Sequence, residues 1–135
     1  MKTVMIRLPI LIGLLALAAC SSEPPVELDT ATKAQIDCLA AQTVAAISKT
    51  TKEGIVAGIA LGDLRSVKDD KIAEYMPLLK TAYPGKASKA HFNAEIKLRL
   101  NAIQNAVGNT SPAASDVELM DATFELAKSC DFEGS

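Results

Sequence analysis

A single histidine, His91, is the side chain whose chemistry is easiest to recognise in this sequence. A histidine acts as a general base or activates a nucleophile when a serine or cysteine and an orienting acid accompany it. The sequence around His91 assigns it no such nucleophile, and the residue falls near the predicted start of a helix. We therefore interpret His91 as a surface residue or a partial helix cap, and we predict no catalytic residues.

Acidic residues form dense groups, and clustered acids are candidate metal ligands. Asp69, Asp70 and Glu74 lie in the first turns of a predicted helix, beside Lys68 and Lys71. A second group opens the last predicted helix. Because carboxylates near a helix N-terminus complement the helix dipole, we interpret both groups as solvated faces. Phosphate-binding loops and His-Glu-x-x-His motifs are missing from the sequence. We therefore predict no metal site, no cofactor and no enzymatic activity.

The cysteine at position 20 has a distinctive setting. Lys2 and Arg7 precede an apolar run over residues 8–17, and the run ends in Leu17-Ala18-Ala19-Cys20. A positive segment, a short apolar segment and small residues are the three parts of an export signal. The run is shorter than the roughly 20 apolar residues that span a bilayer. The four residues ending in the cysteine resemble the lipobox of bacterial lipoprotein precursors.

This resemblance implies that residues 1–19 are a signal peptide that is removed, and that Cys20 becomes an N-terminal cysteine carrying acyl chains such as palmitate. In that family, a serine at the next position, here Ser21, favours delivery to the outer membrane. The implied location is the cell envelope, with a lipid anchor in the outer membrane and the domain facing the periplasm. Residues 20–28 then form a tether that Pro24-Pro25 stiffens. The alternative is an ordinary secretory signal that leaves a free thiol.

Two cysteines, Cys38 and Cys130, remain once Cys20 is assigned to the anchor. Two cysteines in an exported domain are expected to pair, so we predict a disulfide between the first helix and the last. A bridge that closes so long a loop stabilises a fold by about 4–5 kcal/mol in the chain-entropy model. Two buried free thiols or a redox-active pair are the alternatives, although no Cys-x-x-Cys spacing is present.

Residues 29–135 have the length and composition of one helical domain. Removal of the signal takes away two of the 14 basic residues and none of the 16 acidic ones, so the net charge changes from −2 to −4. This charge argues against a nucleic-acid partner or an anionic lipid surface. Aromatic residues make up 4% of the chain and tryptophan is absent, so aliphatic residues must build the core. Such a core favours closely packed helices.

Apolar residues recur at helical spacing, and no alternating strand pattern of useful length appears. The predicted fold is all-α, a small bundle of four or five antiparallel helices with one disulfide. Pro77 is expected to kink or end a helix near Met76, Gly108 to cap the next helix, and residues 131–135 to fray. The first predicted helix runs from Asp29 or Thr30 to about residue 50, and a short helix or turn follows over 54–62. The remaining helices are predicted from Ser66 onward, over 87–107, and from Pro112 or Ser115 to Cys130.

Gly54, Gly58 and Gly62 recur at four-residue spacing in an apolar segment. On a helix they would form one close-packing face, along which another backbone can approach. The spacing resembles the glycine-zipper pattern of some membrane-active helices and outer-membrane lipoproteins. The simpler interpretation is a short buried helix or turn whose glycines serve packing alone.

Our leading hypothesis is a non-catalytic protein-interaction module, anchored to the outer membrane by its lipid and displayed in the periplasm. Its partner would be a protein of an envelope complex, or an enzyme that it inhibits in the manner of small immunity lipoproteins. The alternative is a membrane-active or lipid-handling lipoprotein that uses the Gly54–Gly62 segment. Neither hypothesis involves a nucleic acid.

Overall fold

The computed structural model describes residues 27–56 and 61–133, with side chains described for all of these except 55, 56 and 61–65. Within these residues the chain forms four α-helices and no strand, so the predicted all-α bundle is confirmed. The predicted short segment over 54–62 is not a separate helix in the described residues, because its first residues extend α1 and its last residues open α2. The helices are α1 (Thr30–Val56), α2 (Leu61–Ala82), α3 (Lys86–Gly108) and α4 (Ala114–Ser129).

Helix α1 begins at Thr30, as the capping residue Asp29 predicts. The backbone N–H of Thr32 donates a hydrogen bond to Asp29 Oδ1 at 2.7 Å. This bond satisfies one of the free N–H groups at the helix N-terminus and, together with the Thr32 side chain, lowers the pKa of Asp29. The other end differs from the prediction, since α1 continues past residue 50 to Val56.

Helix α1 is the centre of the bundle. It packs extensively against each of the other three helices, whereas α2 touches α3 only sparsely. The core is therefore built on α1 and completed by residues from α2, α3 and the C-terminal tail. Its fully buried members include Ile36, Leu39, Ala40 and Val44 of α1, Leu79 of α2, and Phe92 and Ile96 of α3.

The predicted disulfide between Cys38 and Cys130 is confirmed. It joins α1 to the residue that follows α4, with the two Cα atoms 6.0 Å apart and a sequence separation of 92. Cys38 is buried in the core cluster, and Cys130 packs against that cluster. The bridge therefore connects the two ends of the domain directly through its core.

The C-terminal tail is ordered, so the prediction that residues 131–135 fray is wrong for the described part of that segment, 131–133. Phe132 is only 2% exposed and belongs to the core, and its ring meets the Tyr83 ring edge-on at 6.1 Å. The backbone N–H of Glu133 donates to Gln35 Oε1 at 3.0 Å. The Tyr83 hydroxyl donates to the Glu133 carboxylate, and this bond raises the pKa of Tyr83 to about 12. The tail is held because Cys130 fixes its start and Phe132 buries its ring.

Two further predictions about helix ends are corrected by the structure. Pro77 does not end its helix, because α2 continues through it to Ala82. Pro77 is exposed while Met76 and Leu79 pack in the core, so burial of its neighbours maintains the helix around it. Gly108 is the last residue of α3 rather than its cap, since Asn109 occupies the C-cap with an extended backbone.

The turn between α2 and α3 requires its glycine. Gly85 has a φ of +121°, a conformation that side-chain-bearing residues rarely adopt. This reversal places α3 beside α1. No helix in the described part of the chain is long and apolar enough to cross a membrane.

Candidate functional site

Helix α3 carries two different surfaces on the two flanks of its buried stripe. Residues at i, i+3 and i+4 share a helix face. His91 and Glu95 therefore form a polar flank that continues into Arg99, whereas Leu100, Ile103 and Val107 form an apolar flank. The first flank meets α1 in a polar cluster, which we define as Asp37, His91, Glu95, Arg99 and Thr123. The second borders an apolar groove.

His91 is bonded to a carboxylate from another helix. Its Nε2 lies 2.8 Å from Oδ1 of Asp37 on α1, and the His91 and Asp37 side chains are 23% and 31% exposed. The interpretation of His91 as a partial helix cap is wrong, because α3 begins at Lys86 without a side-chain cap bond, whereas the ring is still partly exposed where α1 meets α3. No hydrogen bond joins His91 to a hydroxyl or thiol anywhere in residues 27–56 and 61–133.

Arg99 extends the polar cluster into the core. Its Nη2 lies 3.1 Å from Glu95 Oε1, and its Nη1 donates to the Thr123 hydroxyl of α4 at 3.1 Å. The Thr123 hydroxyl donates in turn to the Leu119 carbonyl at 2.7 Å. Arg99 is 8% exposed and Thr123 is fully buried, so these bonds hold the guanidinium, and through it one oxygen of Glu95, in a fixed position.

Asp37, His91 and Glu95 together offer the chemistry of a metal site. One ligand atom from each residue lies within 4.8 Å of the corresponding atoms of the other two. This grouping differs from the expectation that the chain has no metal site. Its one available signal is the i, i+4 spacing of His91 and Glu95, which places both on one face of α3. Asp37 lies far away in the sequence, and only the packing of α1 on α3 brings it to them.

The first acidic group singled out in the sequence lies on the solvated surface of α2. Asp69, Asp70 and Glu74 are exposed on α2, and Glu74 pairs with Lys71 at 3.2 Å. Their interpretation as a solvated face is confirmed.

An apolar groove of about 490 Å³ lies between α1, α3 and α4. Its volume falls in the range of pockets that bind small molecules or anchoring side chains. Lys52 of α1 is the only charged residue among the described residues that line the groove. The lining residues are Ile47, Ser48, Thr51, Lys52, Leu100, Ile103, Gln104, Val107, Met120 and Phe124.

The groove contains the most exposed large apolar side chain of the described residues. Val107 is 71% exposed at its rim, and the second such residue, Leu98, is 51% exposed but does not line the groove. The two are about two and a half turns apart on α3, which places them on opposite sides of the helix. They form a natural pair of sites for comparison.

No family model, curated protein or solved structure matches this chain. Function must therefore be inferred from the polar cluster, the apolar groove and the sequence features.

Cys38 and Cys130 form the disulfide described above. Cys20, with the whole predicted signal, lies in residues 1–26, outside the described part of the chain. Gly54 is buried near the end of α1 and Gly62 belongs to α2, whereas Gly58 also lies outside the described residues. Their proposed close-packing face stays a prediction.

Proposed function

We propose that this protein is a non-catalytic interaction module, anchored by acyl chains on Cys20 to the outer membrane and facing the periplasm. The observation that carries the proposal is the apolar groove between α1, α3 and α4. The disulfide between Cys38 and Cys130 supports an extracytoplasmic location, because such bridges persist in oxidising compartments. The bundle supplies a rigid support for the groove, and the lipid sets where it acts.

The occupant we propose for the groove is an amphipathic helix of a protein partner. The groove walls are three helices with apolar residues at helical spacing, such as Leu100, Ile103 and Val107 on α3 and Met120 and Phe124 on α4. A further helix can pack its apolar ridge between them as bundle helices pack against one another. In helix-in-groove recognition the bound helix supplies apolar anchors at i, i+3, i+4 and i+7, and an apolar groove between helices receives them.

Substitution at the groove rim tests the binding surface. We expect Val107→Lys to abolish crosslinking to the partner in intact envelopes, because it places a charge on the apolar rim. The matched variant Leu98→Lys puts the same charge on the opposite side of α3 and should leave crosslinking unchanged. The measurement is recovery of the same crosslinked protein, identified by mass spectrometry, from wild type and both variants. Equal recovery from both variants, or no crosslinked protein from wild type, would contradict the proposal.

The anchor has its own test. In a Gram-negative host, Cys20→Ala is expected to abolish incorporation of labelled palmitate and to move the protein from the membrane fraction to the soluble fraction. Ser21→Asp keeps the cysteine, and should keep the label while shifting the protein towards the inner membrane. Palmitate labelling that persists in Cys20→Ala would rule out Cys20 as the acylated residue.

A second candidate function, lipid handling, is favoured by the charge distribution of the same groove. A largely apolar groove with Lys52 as its one charged lining residue matches a single acyl chain with an anionic head. The purified chain would then bind a fluorescent fatty acid without any protein partner. Val107→Lys should weaken that binding and Leu98→Lys should not. Absence of binding by wild type would remove this candidate and leave the protein-partner proposal untouched.

A further inference from the structure

We propose that Asp37, His91 and Glu95 bind one divalent transition-metal ion of the zinc type at the junction of α1 and α3. This inference is independent of the proposed groove function. Imidazole nitrogen and carboxylate oxygen are both ordinary zinc ligands. Three protein ligands with a water in the fourth position would complete the coordination.

The geometry of the three side chains supports this site. A tetrahedral zinc site with bonds of about 2.0–2.2 Å places its ligand atoms about 3.3 Å apart. His91 Nε2 and Asp37 Oδ1 are 2.8 Å apart, and all three ligand atoms lie within 4.8 Å of one another. Binding therefore requires the proton on His91 Nε2 to leave or to shift to Nδ1, the His91–Asp37 contact to open slightly, and the second oxygen of Glu95 to turn towards the ion while Oε1 keeps its bond to Arg99. Partial exposure of all three side chains leaves room for these shifts and a path for the ion.

The charge balance also favours a cation. Asp37 and Glu95 contribute two negative charges and Arg99 one positive charge, so the cluster is negative overall when His91 is neutral. Arg99 Nη2 holds Glu95 Oε1 at 3.1 Å, and Thr123 holds Arg99. An outer hydrogen bond of this kind orients a ligand carboxylate and leaves its second oxygen for the metal. The anchored arginine thus acts as a positioning residue.

Cobalt binding tests the proposal, because Co²⁺ replaces zinc and absorbs visible light in a way that reports coordination number. The full chain, purified in detergent and freed of metal with a chelator, is titrated with Co²⁺ and then with Zn²⁺. We expect a four- or five-coordinate d–d band that saturates at one Co²⁺ per chain and disappears as Zn²⁺ displaces it.

Substitutions at the three ligands identify the site. We expect each ligand substitution to weaken Zn²⁺ binding by about 10–100-fold or more: Asp37→Asn, His91→Gln and Glu95→Gln. Loss of an outer-shell partner costs about 10–100-fold in metal affinity, and loss of a ligand should cost at least as much. The control is Glu74→Gln, the same change at an exposed acid on α2, which should leave binding unchanged. Circular dichroism confirms that each variant is folded. Because Glu95→Gln also breaks the pair with Arg99, Asp37→Asn provides the cleaner comparison.

The result that would overturn the proposal is equally specific. A protonated imidazole shared between two carboxylates would produce similar distances without any metal. In that case wild type shows no d–d band in excess Co²⁺, or His91→Gln binds Zn²⁺ as tightly as wild type does. Either outcome assigns the three residues to an ion-pair network.

Discussion

Replacement of Cys38 and Cys130 by alanine is expected to lower the free energy of unfolding by about 4–5 kcal/mol. The bridge closes a loop of sequence separation 92, and cross-linking so long a loop removes much of the conformational freedom of the unfolded chain. Small domains are stable by about 5–15 kcal/mol, so the loss is a large fraction of the total. Urea denaturation of the double variant, compared with wild type with and without reductant, measures it.

The third cysteine provides the control. Cys20→Ala should leave the unfolding midpoint unchanged, because the bridge is complete without it. Reductant should shift the midpoint of wild type towards that of the double variant and have no effect on the double variant itself. A wild-type midpoint that does not respond to full reduction would show that the bridge contributes little to stability.

Phe132→Ala is expected to destabilise the fold by about 3–5 kcal/mol, the usual cost of truncating a buried phenylalanine. The ring is 2% exposed, belongs to the core cluster and meets Tyr83 edge-on. Its removal leaves a cavity and also releases the tail that Glu133 attaches to α1. The measurement is again the free energy of unfolding from urea denaturation of the full chain.

Phe132→Leu is the matched control for this prediction. It keeps most of the buried volume and should cost less than about 1.5 kcal/mol. If Phe132→Ala and Phe132→Leu both unfold at the wild-type midpoint, the tail does not contribute to the core.

The helices were predictable because their signals are local. The segment over 87–107 has a continuous apolar stripe, and α3 spans Lys86–Gly108. The errors occur where tertiary contacts override local preference. Pro77 is a helix breaker in isolation, yet α2 continues because Met76 and Leu79 are held by the core. Residues 131–133 have the composition of a frayed end, and the disulfide at Cys130 together with the contacts of Phe132 and Glu133 explains why they are ordered.

The candidate site was less predictable than the fold, for the same reason. The sequence predicts a surface residue or a partial cap at His91, because its partner Asp37 is on another helix and no sequence spacing connects the two. The disulfide could be predicted because only two cysteines remain after Cys20 is set aside. The groove arises from three helices packed together, and none of its residues is unusual in its own segment.

The central position of α1 has a consequence for the order in which this chain can fold. Synthesis proceeds from the amino end, so α1 is complete while the partners that cover it are still missing. Its buried face stays open until α3, α4 and finally Phe132 have been made. Closure of the core therefore joins residues that are far apart in the sequence, and long-range pairing of this kind slows folding. Among the helices of the described residues, α1 is made before the partners that cover it, so its apolar face is open to non-native contacts until they follow.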